Sequence, residues 1–418
     1  MLNLLFIFVA LLMSSVLIAR FAGLPKNITL LFIAQPLVMA AAPVMVFVGG
    51  LISTDMAPDP SLVTLPLGMM IAGVAAATVP AALLAKQWGR RQAVMFGFSA
   101  SVLGHLLACY AVWQSNFILF NLAGFLLGCA GAFGQQLRFA AMESLDSPTL
   151  IPRAISVLMF TGIFAALIGP EVALLAKGLS VDWLGAEGSY ATAFIIMASM
   201  SFVAILIVSR FKNPEVEAHD IELPSRPLRV IIRQPVFIIA MMAAALGFGL
   251  MSFIMTATPL SMHSLHGHSL EHTKWVIQSH VSAMYLPSLL TIWLGQKIPI
   301  KYFLMVGTVM FVLVLIIATQ GHELVHYWWA LVVLGIGWNF LFFAGTTLLP
   351  RSYQASEKHK VQAINDFSVF AFQSASSLLA GWVVFQFGWS GIVMASTPFV
   401  LVMLLTAAYV QFKPNYFA

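Results

Sequence analysis

The sequence predicts an all-helical protein threaded many times through a membrane, and three observations predict it. Of the 418 residues, 61% are hydrophobic and only 8% are charged, where a soluble domain carries roughly 25% charge. The apolar residues fall into runs of about 20 residues, the length a helix needs to cross the hydrocarbon core. Lys and Arg gather in alternate breaks between these runs, as they do when positive loops stay inside. A soluble globular fold is excluded.

The first stretch, Leu2 to Ala19, is uncharged and precedes its nearest positive charge, Arg20. A signal peptide needs the reverse order, so residues 1–27 are expected to hold an additional transmembrane segment with its N-terminus outside. Six runs follow at 28–52, 61–85, 92–113, 117–140, 153–176 and 190–209 and define an N-terminal six-helix bundle over 28–210. The longest polar break, 211–234, contains Lys212, Arg226, Arg229, Arg233 and three prolines, and is expected to be a cytoplasmic linker. Six further runs at 235–260, 273–296, 302–319, 326–349, 361–387 and 390–412 make a C-terminal bundle over 235–418.

Placing the linker inside settles the orientation. Sixteen of the 20 Lys and Arg residues then lie inside, from Lys86, Arg90, Arg91, Arg138 and Arg153 to Lys358, Lys360 and Lys413. Arg20 and Lys26 join them, and only Lys177 and Lys274 fall outside. The net charge of +5 therefore reports orientation and not a nucleic-acid partner. The two cysteines, Cys109 and Cys129, sit in apolar runs and form no C-x-x-C motif, so no disulfide framework is expected. No Walker, haem-attachment or nucleophile constellation is present, which argues against an enzyme. The expected partners are the lipid bilayer and a transported solute; the chain is expected to act as a monomer without a resident cofactor, in a bacterial-type inner membrane.

Six plus six spans, a cytoplasmic central linker and a basic turn after the second span together resemble the major facilitator superfamily. The turn reads Ala82-Ala-Leu-Leu-Ala-Lys86-Gln-Trp-Gly89-Arg90-Arg91. Its Gly-Arg-Arg matches the family pattern, but Lys86 stands where the family has Asp and Ala82 where it has Gly. The acidic half of the expected gate contact is missing. The fifth run holds Ala165-x-x-x-Gly169-Pro170-x-x-Ala173, an echo of a drug/proton antiporter motif that also reads simply as close helix packing with a proline bend.

The seventh run carries Met251-x-x-x-Met255 and the eighth His280-x-x-x-Met284, a pair that resembles the CcoA-like copper importers of the superfamily. Thr258-Pro259-Leu260, Pro287-Ser288 and Gly345-Thr346-Thr347 resemble that group too. The resemblance implies a copper route through Met251, Met255, His280 and Met284, with imported copper, as substrate, supporting cytochrome oxidase assembly. The residues themselves permit this, because positions i and i+4 share a helix face and thioether with imidazole suits a soft cation such as Cu(I). At a rise of about 1.5 Å per residue, the four donors interleave between about 7 and 17 Å below the outer boundary. Met also fills gaps in apolar helices, whereas a His inside a span is costly unless it has a partner or a cavity.

The outer loop between these runs holds Met262, His263, His266, His268, Glu271 and His272, a candidate metal collector, although the spacing is not that of a closed zinc site. His322 and His326 read as loop polarity. Inside the spans, Glu171 is a candidate proton-coupling carboxylate or an ion-pair partner for Arg138. Gln135, Gln136, Arg138, Asn365 and Asp366, with Arg90 and Arg91, are candidate inner-gate groups. The expected function is a secondary copper importer working by alternating access. The alternative is a proton-coupled transporter of a small organic compound, drug or vitamin-like, using Glu171 and aromatic residues, and a non-transporting membrane sensor would keep the same fold.

Overall fold

The computed structural model describes residues 2–59, 62–63, 65–177, 179, 190–213 and 225–412. Its long helices are α1 (Leu2–Phe21), α2 (Lys26–Met39), α3 (Leu65–Trp88), α4 (Arg90–Trp113), α5 (Phe117–Gln135), α6 (Ile151–Lys177), α7 (Ala191–Val208), α8 (Pro235–Pro259), α9 (Leu270–Tyr285), α10 (Ile300–Ala318), α11 (Leu324–Leu348) and α12 (Lys358–Phe412). Among the described residues, eleven helical segments are long and apolar enough to cross a membrane. Leu2–Phe21 is one of them, in keeping with the length rule for a spanning helix. The 55 residues of α12 are two spans bent at Gly388, whose φ is +66°.

The chain divides into two compact units, Met1–Leu150 with Val157–Glu215 and Ile151–Ser156 with Val216–Ala418. In the first unit, α1 lies along α2 and buries Leu11 and Ser15, leaving Leu5, Phe6, Leu12 and Met13 exposed as a lipid-facing side. Helix α2 breaks after Met39, where Pro43 has no N–H to return to the Met39 carbonyl, and continues through Ala41–Val44 and a π-helical turn at Met45–Gly49. Gly169 of α6 packs on this break: a Cβ there would lie 2.5 Å from that of Pro43. The Gly-Pro pair of the fifth run is thus a packing feature. Helices α3 and α5 approach so closely that a Cβ on Gly128 would sit 1.9 Å from the Met70 carbonyl oxygen, the small-residue packing that lipid-embedded helices use.

In the second unit α11 is the central element, packed along α8, α9 and α10, while α8 also packs along α12. Two glycines bring the neighbours in. A Cβ on Gly335 would lie 2.7 Å from the His280 carbonyl oxygen of α9, and one on Gly345 2.6 Å from the Ala240 carbonyl oxygen of α8. Helix α9 starts at Leu270, three residues before the apolar run, because Ser269 caps it by accepting from the His272 N–H at 3.1 Å.

Part of the expected linker is built structure. Arg226 donates from Nε and Nη2 to the two Glu357 carboxylate oxygens at 2.8 and 2.6 Å, its backbone N–H bonds the same group at 2.8 Å, and Lys360 bonds Ser225 and the Arg226 carbonyl. Gln234 adds a bond to the Ser352 carbonyl at 3.0 Å. Residues 225–234 are therefore fastened to the start of α12, while 214–224 and Lys413 lie outside the described residues.

Candidate substrate site in the C-terminal unit

Met251 and Met284 are buried, Met255 is half-buried and His280 is fully buried. His280 Nδ1 lies 2.7 Å from the Leu331 carbonyl oxygen of α11. A carbonyl only accepts, so Nδ1 carries a proton and the neutral ring presents a lone pair at Nε2, which has no hydrogen-bond partner. One turn on, the Met284 carbonyl accepts from Asn339 Nδ2 at 2.7 Å, and the same amide group reaches Ser288 Oγ at 2.7 Å. The two motifs lie on helices that share one neighbour. Helices α8 and α9 are not packed along each other; each is packed along α11, and the His280 and Met284 segment is bonded to α11.

Beside these residues, five aromatic side chains from four helices meet near mid-span. Trp338 and Phe342 of α11 stack at 5.2 Å and 8°. Phe248 of α8 stands edge-on to Trp338 at 5.1 Å and to Phe342 at 5.4 Å, Phe370 of α12 meets Phe248 at 5.8 Å, and Tyr285 of α9 meets Trp338 at 5.8 Å. Trp338, Phe342 and Phe370 are buried, while Phe248 and Tyr285 are half-buried and keep open faces. Trp338 Nε1 and the Oδ1 of the next residue, Asn339, are buried with no hydrogen-bond partner, as are Thr347 Oγ1 of α11 and Asn365 Oδ1 of α12. Orphaned polar atoms of this kind are uncommon in a protein interior and call for an occupant or a function. The arrangement offers flat apolar surfaces with isolated donors and acceptors, the pattern of a small-molecule site.

The candidate outer collector is spread over a π-helical turn, a loop and the start of α9. Met262 is fully buried, because the α8 helix runs on through a π-helical turn at Leu260–Leu265. One ring nitrogen each of His263, His266 and His268 bonds the backbone carbonyls of His268, Ser261 and His322 at 3.0, 2.9 and 2.8 Å, and His272 belongs to the first turn of α9. Among the described residues, no group of three or more His, Cys, Asp or Glu side chains is arranged to hold a metal ion. His322, expected as loop polarity, is stacked on His266.

The inner-gate candidates fare differently from one another. Arg90 is 2% exposed and does have an acidic partner: Glu143, at 2.6 Å and 3.1 Å, with Gln136 Oε1 at 2.6 Å. The acid absent from the basic turn is supplied by the end of the fourth run, within the same unit. Gly89 takes φ +81° so that the chain can turn there, and the Arg91 N–H bonds Asn213 Oδ1 at 2.8 Å. The Arg138 guanidinium lies over Phe139 at 4.8 Å. Asn365 donates to Asp366 at 3.0 Å, both being buried. Glu171 accepts from Asn3 of α1 at 3.3 Å and not from Arg138. The aromatic group and Glu143 escaped the sequence reading. Phe248 and Trp338 stand 90 positions apart, and only the mid-run placement of each aromatic hinted at a shared depth.

These features define a membrane carrier, and its family follows from comparison. A profile of the Major Facilitator Superfamily matches residues 28–370, and the chain belongs to that superfamily. It is 33% identical over 392 residues to the riboflavin transporter RfnT of Brucella anthropi, covering 93% of this chain and 96% of the relative. It is 27% identical over 360 residues to the uncharacterized MFS-type transporter YdeG of Bacillus subtilis, 81% of each chain. Among solved structures, the fucose:proton symporter FucP of E. coli in its outward conformation matches with a TM-score of 0.71 at 13% identity, over 92% of this chain and 98% of that one. A bacterial homologue of the iron transporter ferroportin matches at 0.66 and 13%, over 93% and 100%. A sugar carrier and a metal-carrier homologue share this fold, so the fold leaves the cargo open.

Proposed function

We propose that this secondary transporter moves a small planar aromatic solute of the riboflavin type across a bacterial-type inner membrane. The single observation that carries the reading is the five-aromatic group of Phe248, Tyr285, Trp338, Phe342 and Phe370 with its orphaned polar atoms. A fused heterocycle presents two apolar faces for stacking and an edge of donors and acceptors for groups such as Trp338 Nε1 and Asn339 Oδ1. The near full-length relative named as a riboflavin transporter supports the same class. Copper import has one observation in its favour, the unpartnered His280 Nε2 with Met284 one turn away. Against it stand the attachment of that segment to α11 and a relative whose named cargo is organic.

The test is uptake of labelled riboflavin and of radiocopper, side by side, in cells deleted for this gene and complemented with wild type, His280→Ala or Trp338→Ala at matched membrane expression. Riboflavin uptake restored by wild type and lost with Trp338→Ala, with copper unchanged throughout, is the expected result. Copper uptake restored by wild type and lost with His280→Ala, with no riboflavin flux, would reverse the assignment.

A further inference from the structure

At the outer end of the second unit, two connections are tied together by histidines. The π-helical turn Leu260–Leu265 ends α8, and Gly267 at φ +68° turns the chain toward α9. His266 Nδ1 lies 2.9 Å from the Ser261 carbonyl oxygen and 3.0 Å from the Tyr327 hydroxyl of α11. Ser261 Oγ and Tyr327 Oη are 2.7 Å apart. The His266 ring stacks on His322, from the turn between α10 and α11, at 4.0 Å and 17°, and His268 Nε2 bonds the His322 carbonyl at 2.8 Å. Tyr327 is backed by Trp389 at 5.0 Å.

We infer that the stacked His266 and His322 form a proton-sensitive latch, which holds the α8–α9 loop on the α10–α11 turn while both rings are neutral and releases it when they take up protons. Two imidazoles face to face at 4.0 Å cannot both carry a positive charge without strain, since like charges at this distance repel. Partial desolvation by the packed neighbours, and then the neighbouring His266 and His326, hold His322 below its ordinary value. The sign follows from linkage: a base whose docked form binds protons less readily than its free form stabilises docking at neutral pH, and that stability falls as pH drops below the free value of about 6.5.

The other titratable groups of the elements packed here are His263 on the π-helical turn, His268 in the loop, Glu271, His272 and Lys274 at the start of α9, and Glu323, His326 and Tyr327 at the start of α11. Four further histidines and one lysine thus surround the stacked pair. Two carboxylates stand among them.

The inference does not depend on the cargo, and neither does its test. Spin labels are placed at Leu265→Cys and Gln320→Cys in full-length protein carrying Cys109→Ala and Cys129→Ala, and the distance distribution is measured by pulsed dipolar spectroscopy at pH 7.5 and 5.0. The expected result is one narrow short distance at pH 7.5 and a second, longer population at pH 5.0. His266→Gln, which keeps an N–H donor but takes no charge, and His322→Gln should both keep the short distance at either pH. An unchanged wild-type distribution between the two pH values would overturn the latch, as would an acid transition that persists in either Gln variant. Because His322 is exposed, its substitution leaves folding intact even if that of His266 does not, and size-exclusion profiles report which variants are folded.

Discussion

Replacing Trp338 by Phe separates a recognition role from a packing role, because the two predict opposite signs. The indole is held by Phe342, Phe248 and Tyr285, and a phenyl ring retains most of that contact. What disappears is the Nε1–H, which is buried and unpartnered in the empty protein. An unsatisfied buried donor costs about 1–3 kcal/mol, and the substitution removes that penalty. The smaller ring leaves a gap of roughly 40 Å³, worth on the order of 1 kcal/mol at about 24 cal/mol per Å³. The empty transporter should therefore be as stable as wild type, or more stable by up to about 2 kcal/mol. Solute binding should weaken, since one hydrogen bond of about 0.5–1.5 kcal/mol is lost, about 2- to 13-fold in Kd. Trp338→Ala should fail in both respects, at about 3–5 kcal/mol in stability. The assay is thermal unfolding of detergent-purified protein alongside equilibrium binding of riboflavin by fluorescence quenching. A Trp338→Phe protein that is less stable yet binds riboflavin normally would refute the reasoning and reduce Trp338 to packing.

Gly335→Ala should destabilise by about 1–3 kcal/mol through overpacking, because its Cβ meets the His280 carbonyl oxygen at 2.7 Å and backbone must move. Gly131→Ala, whose nearest contact is a side-chain methyl at 3.5 Å, should be tolerated, and melting curves of the two compare them directly. Breaking the Arg90–Glu143 pair from one side, by Arg90→Met or Glu143→Leu, should cost about 3–5 kcal/mol, while the double variant should cost less than either. A double-mutant cycle on thermal stability reads the coupling, and additive losses would show that the pair is not energetically linked.

Much of this architecture was legible because bilayer physics is written in local composition. Charge-free runs and asymmetric Lys and Arg placement located the spans. Interactions between distant positions were not legible. Arg90 finds Glu143 across 53 residues and Arg226 finds Glu357 across 131, and no periodicity connects them. The course of the His-rich stretch was hidden for a different reason. Ser261-Met262-His263 looks like loop composition, but the α8 helix persists through it as a π-helical turn and sinks Met262 completely. The M-x-x-x-M and H-x-x-x-M spacings correctly gave two residues on one face of each helix. Spacing within a helix is silent about which other helix that face meets, and for His280 and Met284 it was α11.

The bend at Gly388 has a bearing on how the chain enters the bilayer. Its two arms, 358–387 and 389–412, rise about 45 and 36 Å at helical pitch, and each exceeds a hydrocarbon core of about 30 Å. A single glycine joins them, with open space where a side chain would project. No polar loop separates the arms to be handed across the membrane on its own during biosynthesis. The last two spans thus share a single-residue turn, and truncating the chain within the second arm would strand the first without its return helix.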